Sequence, residues 1–500
     1  MLGTSSSAKD NSSYKESLKA TSLFGGVQVF NILIGVIRSK FIAILLGPSG
    51  MGMYGLFTLT TSLISSFTNC GLGTSAVRNI AEANSTRDQN RIALIISVFR
   101  KLVWFTGLIG MSVCVCFASF FSKLTFGDTS YTCAFMLLSV TILLTQLTAG
   151  QNALLQGLRK YKYLASANVL GHVLALLTTI PLYYFWGVKA IVPSIMIMGI
   201  VTFSLARYFS GKVKIEKKSA PIAVFKSEGG NMLKMGIFIS LQSLLSILTS
   251  YIVRIYISRT GGLDDVGFYT AGFTIINSYV GLIFTAMSTD YYPRLSGVAS
   301  SNSAMNKMIN QQAEIALLLL APIISLFIVF AKWGVVILYS QKFLAMEGML
   351  YWAMFGIFFK AMGWSVAYSF LAKSDTKVFF WNEFSAVVYT FILNIVGYQM
   401  AGLTGLGISF CISFLVYFIQ VIIVCGKRYG YKMEKKIVRI FSVQLILSTV
   451  CVIVKVLSPN LVSYPVGSII FLVLTFYSYR ELDKILDIKR YIKSFRSTKK

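Results

Sequence analysis

The sequence predicts an all-α integral membrane protein of about fourteen transmembrane helices: two six-helix lobes related by a parallel pseudo-two-fold axis, plus two C-terminal helices. Three observations predict it. Apolar residues make up 55% of the 500-residue chain and charged residues only 13%, well below the charged share near 25% of soluble domains. The apolar residues fall in successive runs of roughly 20, the length a helix needs to cross a hydrocarbon core about 30 Å thick. Lys and Arg gather in alternate connections between those runs.

Taken in order, the spans run over 23–46, 53–77, 92–120, 131–157, 163–185, 188–208, 232–258, 268–290, 309–331, 348–371, 379–400, 405–425, 437–457 and 464–479. Positive connections resist translocation and stay on the cytoplasmic side. Of the 46 Lys and Arg, six fall on the opposite side (Lys123, Lys189, Arg259, Lys332, Lys342 and Lys455), and four fall inside spans (Arg38, Lys40, Arg254 and Lys360). The remaining 36 lie in connections or span ends on one side, which places both termini in the cytoplasm. That asymmetry also accounts for the net charge of +28 without nucleic acid.

A polar segment at 1–22 precedes the N-lobe at 23–209. The first apolar run is too long for a signal h-region and no small-residue cleavage site follows it, so no cleavage is expected. The stretch 210–231 carries Lys212, Lys214, Lys217 and Lys218 with Pro221 and Gly229-Gly230, the composition of a solvated linker against anionic headgroups. The C-lobe follows at 232–425, the two extra helices at 426–479, and a basic tail at 480–500 whose Leu482, Ile485, Leu486 and Ile492 suit an interfacial helix. An even number of spans separates the first from the seventh, so the repeat is parallel.

Parts of that repeat are visible in the residues. Arg38 with Arg254 and Arg78 with Arg294 are each 216 positions apart, and Gly52-Met53-Tyr54 matches Gly267-Phe268-Tyr269 at an offset of 215. By topology Arg78 and Arg294 are inner-face anchors, whereas Arg38 and its shallower counterpart Arg254 fall within spans.

A cation at the bilayer centre costs about 2.5–3.5 kcal/mol on insertion scales, so each one needs an escape route or a partner. Arg38 sits about 12 Å from the end of its span at 1.5 Å per residue, a strained distance for snorkelling. Lys40 and Arg254 lie nearer the outer edge, where an interfacial anchor and a functional cation are equally good readings. Lys360 lies at mid-span and needs a polar cavity or a partner. Gln28, Asn31, Gly35 and Arg38 share one helical face, as do Gln242, Ser246, Ser250 and Arg254. Such polar stripes also glue helices together, but these two end in Arg.

Asp290, Glu314 and Glu383 are the carboxylates within the span limits, all toward cytoplasmic ends. With no acid near Arg38 or Lys360 along the sequence, the expected ligand is an anion, and Arg matches phosphate geometry. Asp290 with Arg294, four residues on, reads as an ion pair. Glu314 and Glu383 admit two readings, ion coupling or solvation at a helix end. Seven Cys and one His provide no disulfide framework and little for a metal, and His172 reads as a core histidine. The short outer connections hold no His, no nucleophile elbow and no phosphate loop, so neither an enzyme nor a cofactor is expected.

Four stretches carry a family likeness: Arg38-Ser-Lys-Phe-Ile-Ala-Ile-Leu-Leu-Gly-Pro-Ser-Gly-Met-Gly-Met-Tyr54, Gly71-Leu-Gly-Thr-Ser-Ala-Val-Arg78, Ser288-Thr-Asp-Tyr-Tyr-Pro-Arg-Leu-Ser296, and Phe358-Phe-Lys-Ala-Met-Gly-Trp364 with Leu371-Ala-Lys-Ser-Asp-Thr-Lys377. The chain resembles the polysaccharide transporters of the O-antigen and enterobacterial common antigen flippase type. Their superfamily also holds the lipid II flippase and the multidrug exporters. The resemblance implies MATE-like lobes, a bacterial inner-membrane location, and transfer of undecaprenyl-pyrophosphate-linked glycan to the outer leaflet, beside other polysaccharide-assembly membrane proteins. Arg38 matches the placement of substrate-serving arginines on the first span of related lipid II flippases, and Lys360 is carried over from the Phe-Phe-Lys-Ala motif. Fourteen spans instead of twelve is a departure. A cation-coupled drug exporter of the same fold, a lipid II flippase and a membrane-embedded polymerase or ligase are the alternatives.

Overall fold

The structure, a computed structural model, describes residues 5–86, 88–216, 218 and 221–486. Its helices are α1 (Ser5–Asn69), α2 (Leu72–Ser85), α3 (Gln89–Cys116), α4 (Ala118–Phe126), α5 (Thr132–Gly157), α6 (Tyr161–Trp186), α7 (Ile191–Gly211), α8 (Ile222–Thr260), α9 (Gly262–Thr274), α10 (Gly281–Gly297), α11 (Asn302–Leu338), α12 (Glu347–Ala372), α13 (Thr376–Tyr429), α14 (Lys435–Leu457) and α15 (Asn460–Leu486). The expected interfacial helix of the tail therefore begins as a continuation of α15, and Ile492 lies outside the described residues, as does Lys217.

Eleven helical stretches among the described residues are long and apolar enough to cross a membrane. Three of them, at 26–69, 161–211 and 376–429, are 44, 51 and 54 residues long, and a straight helix of even 44 residues would be about 66 Å long, twice the hydrocarbon core. Each is broken at a glycine whose backbone leaves the helical region: Gly47 (φ 71°), Gly187 (φ 53°) and Gly402 (φ 55°). Glycine adopts these positive φ values without the Cβ penalty other residues meet. Eleven stretches, three of them double, give the fourteen spans expected from hydropathy.

Some predicted spans are less regular than hydropathy suggests. The run 53–77 is cut at Cys70 and Gly71, where α1 gives way to α2, and 92–120 is cut at Phe117. A π-helical turn over Ile275–Val280 joins α9 to α10. Such turns interrupt an α-helix without ending it, so the apolar pattern continues across and hides them.

The chain divides into two compact units, 1–270 and 271–500. In the first, α3 packs on α5, α6 on α7 and α1 on α6, while α8 lies against α1 and α2. Its core includes Leu72, Ile80, Ile96, Phe99 and Leu154. In the second, α12 packs along α13 and α11, and α11 also carries α14 and α15. Tyr291, Ile309, Val366 and Phe370 form part of its core. Large apolar side chains remain exposed on many helices, among them Phe105, Ile337 and Leu472. A soluble surface would not carry so many; a lipid-facing one does. The chain is a multi-pass membrane protein.

Candidate functional site

In the first unit, the polar face of α1 places Gln28 in the open, with Asn31 and Arg38 half-buried. The Asn31 Oδ1 atom is buried and accepts no hydrogen bond among the described residues. The Arg38 guanidinium reaches across to α7, where Nη1 donates to Sδ of Met198. Its charge also acts on His172 and Tyr183 of α6, and Tyr183 accepts a hydrogen bond from Ser194 Oγ at 2.6 Å. No carboxylate pairs with Arg38 among the described residues. A thioether is a weak acceptor, so the guanidinium keeps most of its capacity to bind an anion. Lys40, two residues further, is half-buried.

The second copy of the motif is built differently. Arg254 on α8 is half-buried, with its guanidinium 5.6 Å from the ring centroid of Tyr269. Its Nε is buried without a hydrogen bond among the described residues. The two parts of the repeat, the span arginine and the Gly-x-Tyr turn, thus meet as a cation over an aromatic face. Gln242 lies three turns earlier on the same helix, also half-buried.

In the second unit, Lys360 is held by phenyl rings. Its Nζ lies 5.1 Å from the ring centroid of Phe414, 5.6 Å from Phe284 and 5.8 Å from Phe410. Phe284 comes from α10, and Phe410 and Phe414 from successive turns of α13. Among the described residues no carboxylate pairs with Lys360. Ring faces attract a cation by about 0.5–2 kcal/mol each, but they do not neutralise it. The site is a half-buried lysine amine faced by three phenyl rings.

The acidic residues are occupied. Asp290 pairs with Arg294 at 2.9 Å, both exposed. Glu314, 7% exposed, pairs with Lys436 of α14 at 2.6 Å. Glu383 accepts a hydrogen bond from Tyr417 at 2.6 Å, beside Asn382, whose Oδ1 accepts from Gln420 at 2.7 Å. Sequence reasoning named these three acids and the four span cations, but it missed the phenyl cage, the contact of Arg254 with Tyr269 and the action of the Arg38 charge on His172. The Phe410/Phe414 spacing of four was the one available signal for the cage.

Residues 17–299, more than half of the chain, match the family of polysaccharide biosynthesis proteins. The chain belongs to that family. Among curated relatives it is 19% identical to the lipid III flippase of Escherichia coli (strain K12) over 395 residues, covering 77% of this chain and 92% of the relative. It is 22% identical over 400 residues to the putative O-antigen transporter of Shigella flexneri, covering 77% and 91%. Among solved structures, an inward-facing multidrug resistance MATE family transporter of the MOP superfamily superimposes with a TM-score of 0.70 at 15% identity, covering 80% of this chain and 94% of that one. The lipid II flippase MurJ in an inward closed conformation gives 0.67 at 14% identity, covering 92% and 99%. The fold is the MATE-like fold of that superfamily.

Proposed function

We propose that this family member is a flippase that carries a polyprenyl-pyrophosphate-linked oligosaccharide from the cytoplasmic to the outer leaflet by alternating access. The observation that carries the reading is Lys360: a half-buried ammonium inside three phenyl rings with no carboxylate partner among the described residues. Insertion energetics disfavour such a charge unless a ligand uses it. Arg38, which donates to the Met198 thioether, supplies a bidentate donor suited to phosphate. Arg254 is the third cation of this kind, and Gln28, Asn31 and Gln242 supply amide groups for phosphate or sugar. The curated relatives, a lipid III flippase and a putative O-antigen transporter, support the same cargo class.

Moving two negative charges outward across an inside-negative membrane is favourable by about 4.6 kcal/mol per 100 mV, at roughly 2.3 per charge. The potential alone can therefore bias the cycle. Asp290 and Glu314 are committed to Arg294 and Lys436, which weighs against ion coupling at those two.

A drug exporter of the same fold is the second reading, favoured by the MATE superposition. Flipping of lipid-linked oligosaccharide by the reconstituted chain separates the two. Lys360→Ala and Arg38→Ala should each slow flipping at least tenfold, a loss equal to about 1.4 kcal/mol; undiminished flipping by both variants would refute the assignment.

A further inference from the structure

At the far end of α12 from Lys360's neighbourhood, the second unit holds a cavity that the cargo reading leaves unexplained. It has a volume of about 400 Å³, within the range of small-molecule sites. Lys332 of α11, Glu347, Tyr351 and Trp352 of α12, and Lys455 of α14 line it. The Tyr351 hydroxyl donates to a carboxylate oxygen of Glu347, and the Lys455 ammonium stands 4.1 Å from the ring centroid of Tyr464. Two ammonium groups thus face one carboxylate that already accepts a hydrogen bond. The cavity carries a net positive charge and has aromatic walls.

We propose that this cavity binds a phosphate-bearing headgroup, making α12 a helix with an anion station at each of two depths. Thirteen residues separate Glu347 from Lys360, about 20 Å along the helix axis, or two-thirds of the hydrocarbon core. Lysine ammonium groups bind phosphate as compact point charges with three donors each. Gly348 and Thr404 also line the cavity and pack closely there: a Cβ on Gly348 would lie 2.5 Å from Thr404 Oγ1. On the cargo reading, on which the choice of headgroup rests, the cavity receives the pyrophosphate after it has left Lys360.

Emission from Trp352 tests this in the full chain. In neutral detergent, inorganic pyrophosphate should change it saturably, with the signal assigned by its loss in Trp352→Phe. Lys332→Gln with Lys455→Gln should weaken the apparent affinity at least about tenfold, the scale of one charge-assisted hydrogen bond. Lys455→Arg should retain binding. A response confined to phosphatidylglycerol nanodiscs, absent with phosphatidylcholine and with pyrophosphate, would keep the phosphate site and assign it to bilayer lipid. No response to either probe, or an unchanged response in the double Gln variant, would overturn the proposal. Flipping by the parent chain is measured separately, so a chain that binds pyrophosphate without flipping would refute the cargo reading alone.

Discussion

Gly52 and Gly267 face each other in a reciprocal backbone contact. A Cβ on Gly52 would overlap the carbonyl oxygen of Leu263, and one on Gly267 would overlap the carbonyl oxygen of Pro48. Pro48 and Leu263 are themselves 215 positions apart, the same offset as the two glycines. The two copies of the Gly-x-Tyr turn therefore seat each on the backbone four residues before the other's glycine. Removing the side chain at both positions is what allows two helices this close.

Alanine at either glycine forces the backbones apart, so Gly52→Ala and Gly267→Ala should each destabilise by about 1–3 kcal/mol, the usual cost of overpacking. Thermal unfolding in detergent measures it. Because one contact is disturbed in both cases, the double variant should lose less than the sum of the singles; full additivity would mean that the two glycines are not coupled.

Lys360→Met should raise the melting temperature while abolishing flipping. The phenyl cage accepts an apolar chain of similar length, and the substitution removes a desolvated charge with no carboxylate partner among the described residues. Phe414→Leu, in contrast, should lower stability by about 1 kcal/mol through loss of one ring face and its packing. A Lys360→Met chain less stable than the parent would show that the lysine serves the fold.

The Glu314–Lys436 pair ties α14 to α11. Breaking a buried pair costs about 3–5 kcal/mol, but the Lys436 side chain is 42% exposed, which lowers the expectation to roughly 1–3 kcal/mol for Glu314→Ala. A double-mutant cycle with Lys436→Ala reads the coupling directly. The same two variants should leave flipping unaltered under an imposed proton gradient if Glu314 is structural.

Asp375 supplies the pH dependence. It caps α13 through the Val378 N–H at 3.4 Å, accepts from Arg428 Nε at 2.8 Å and from the Tyr429 hydroxyl at 3.1 Å. Burial opposes its ionisation, but the Tyr429, Val378 and Arg428 donors outweigh that and hold the carboxyl below its ordinary value of 3.8. A depressed folded pKa means that the stabilisation is complete above the unfolded value and is lost as the pH falls through the folded one. Parent stability should thus decline below about pH 4, and Asp375→Asn should flatten that part of the profile while lowering stability at neutral pH. Parallel profiles for the two would remove Asp375 from the account.

The spans were legible because hydropathy is a one-dimensional property, and the depth of Lys360 in its span was enough to mark it as unusual. Its surroundings were not legible. Phe284 and Phe414 are 130 positions apart among 38 phenylalanines, and nothing in a phenylalanine's own sequence context says that its ring will face an ammonium. Lys436 is one of the 36 cations that the sequence puts on the cytoplasmic side, and its pairing with Glu314 across 122 positions depends on how α14 docks. The glycine pair was visible as a repeat but not as a contact, since equal spacing says that two turns are alike and leaves open where they meet.

The glycine breaks at Gly47, Gly187 and Gly402 bear on biosynthesis as well as on shape. At each, one apolar stretch follows another with a handful of residues between them, and the turn at Gly187–Ala190 is four residues long with Lys189 as its one charge. A ribosome delivering such a stretch presents the membrane with a helical hairpin whose tip carries little polar backbone and at most one cation. Both legs can therefore partition together, each satisfying its own amides, so six of the fourteen crossings need no hydrophilic domain to be pulled through the translocon.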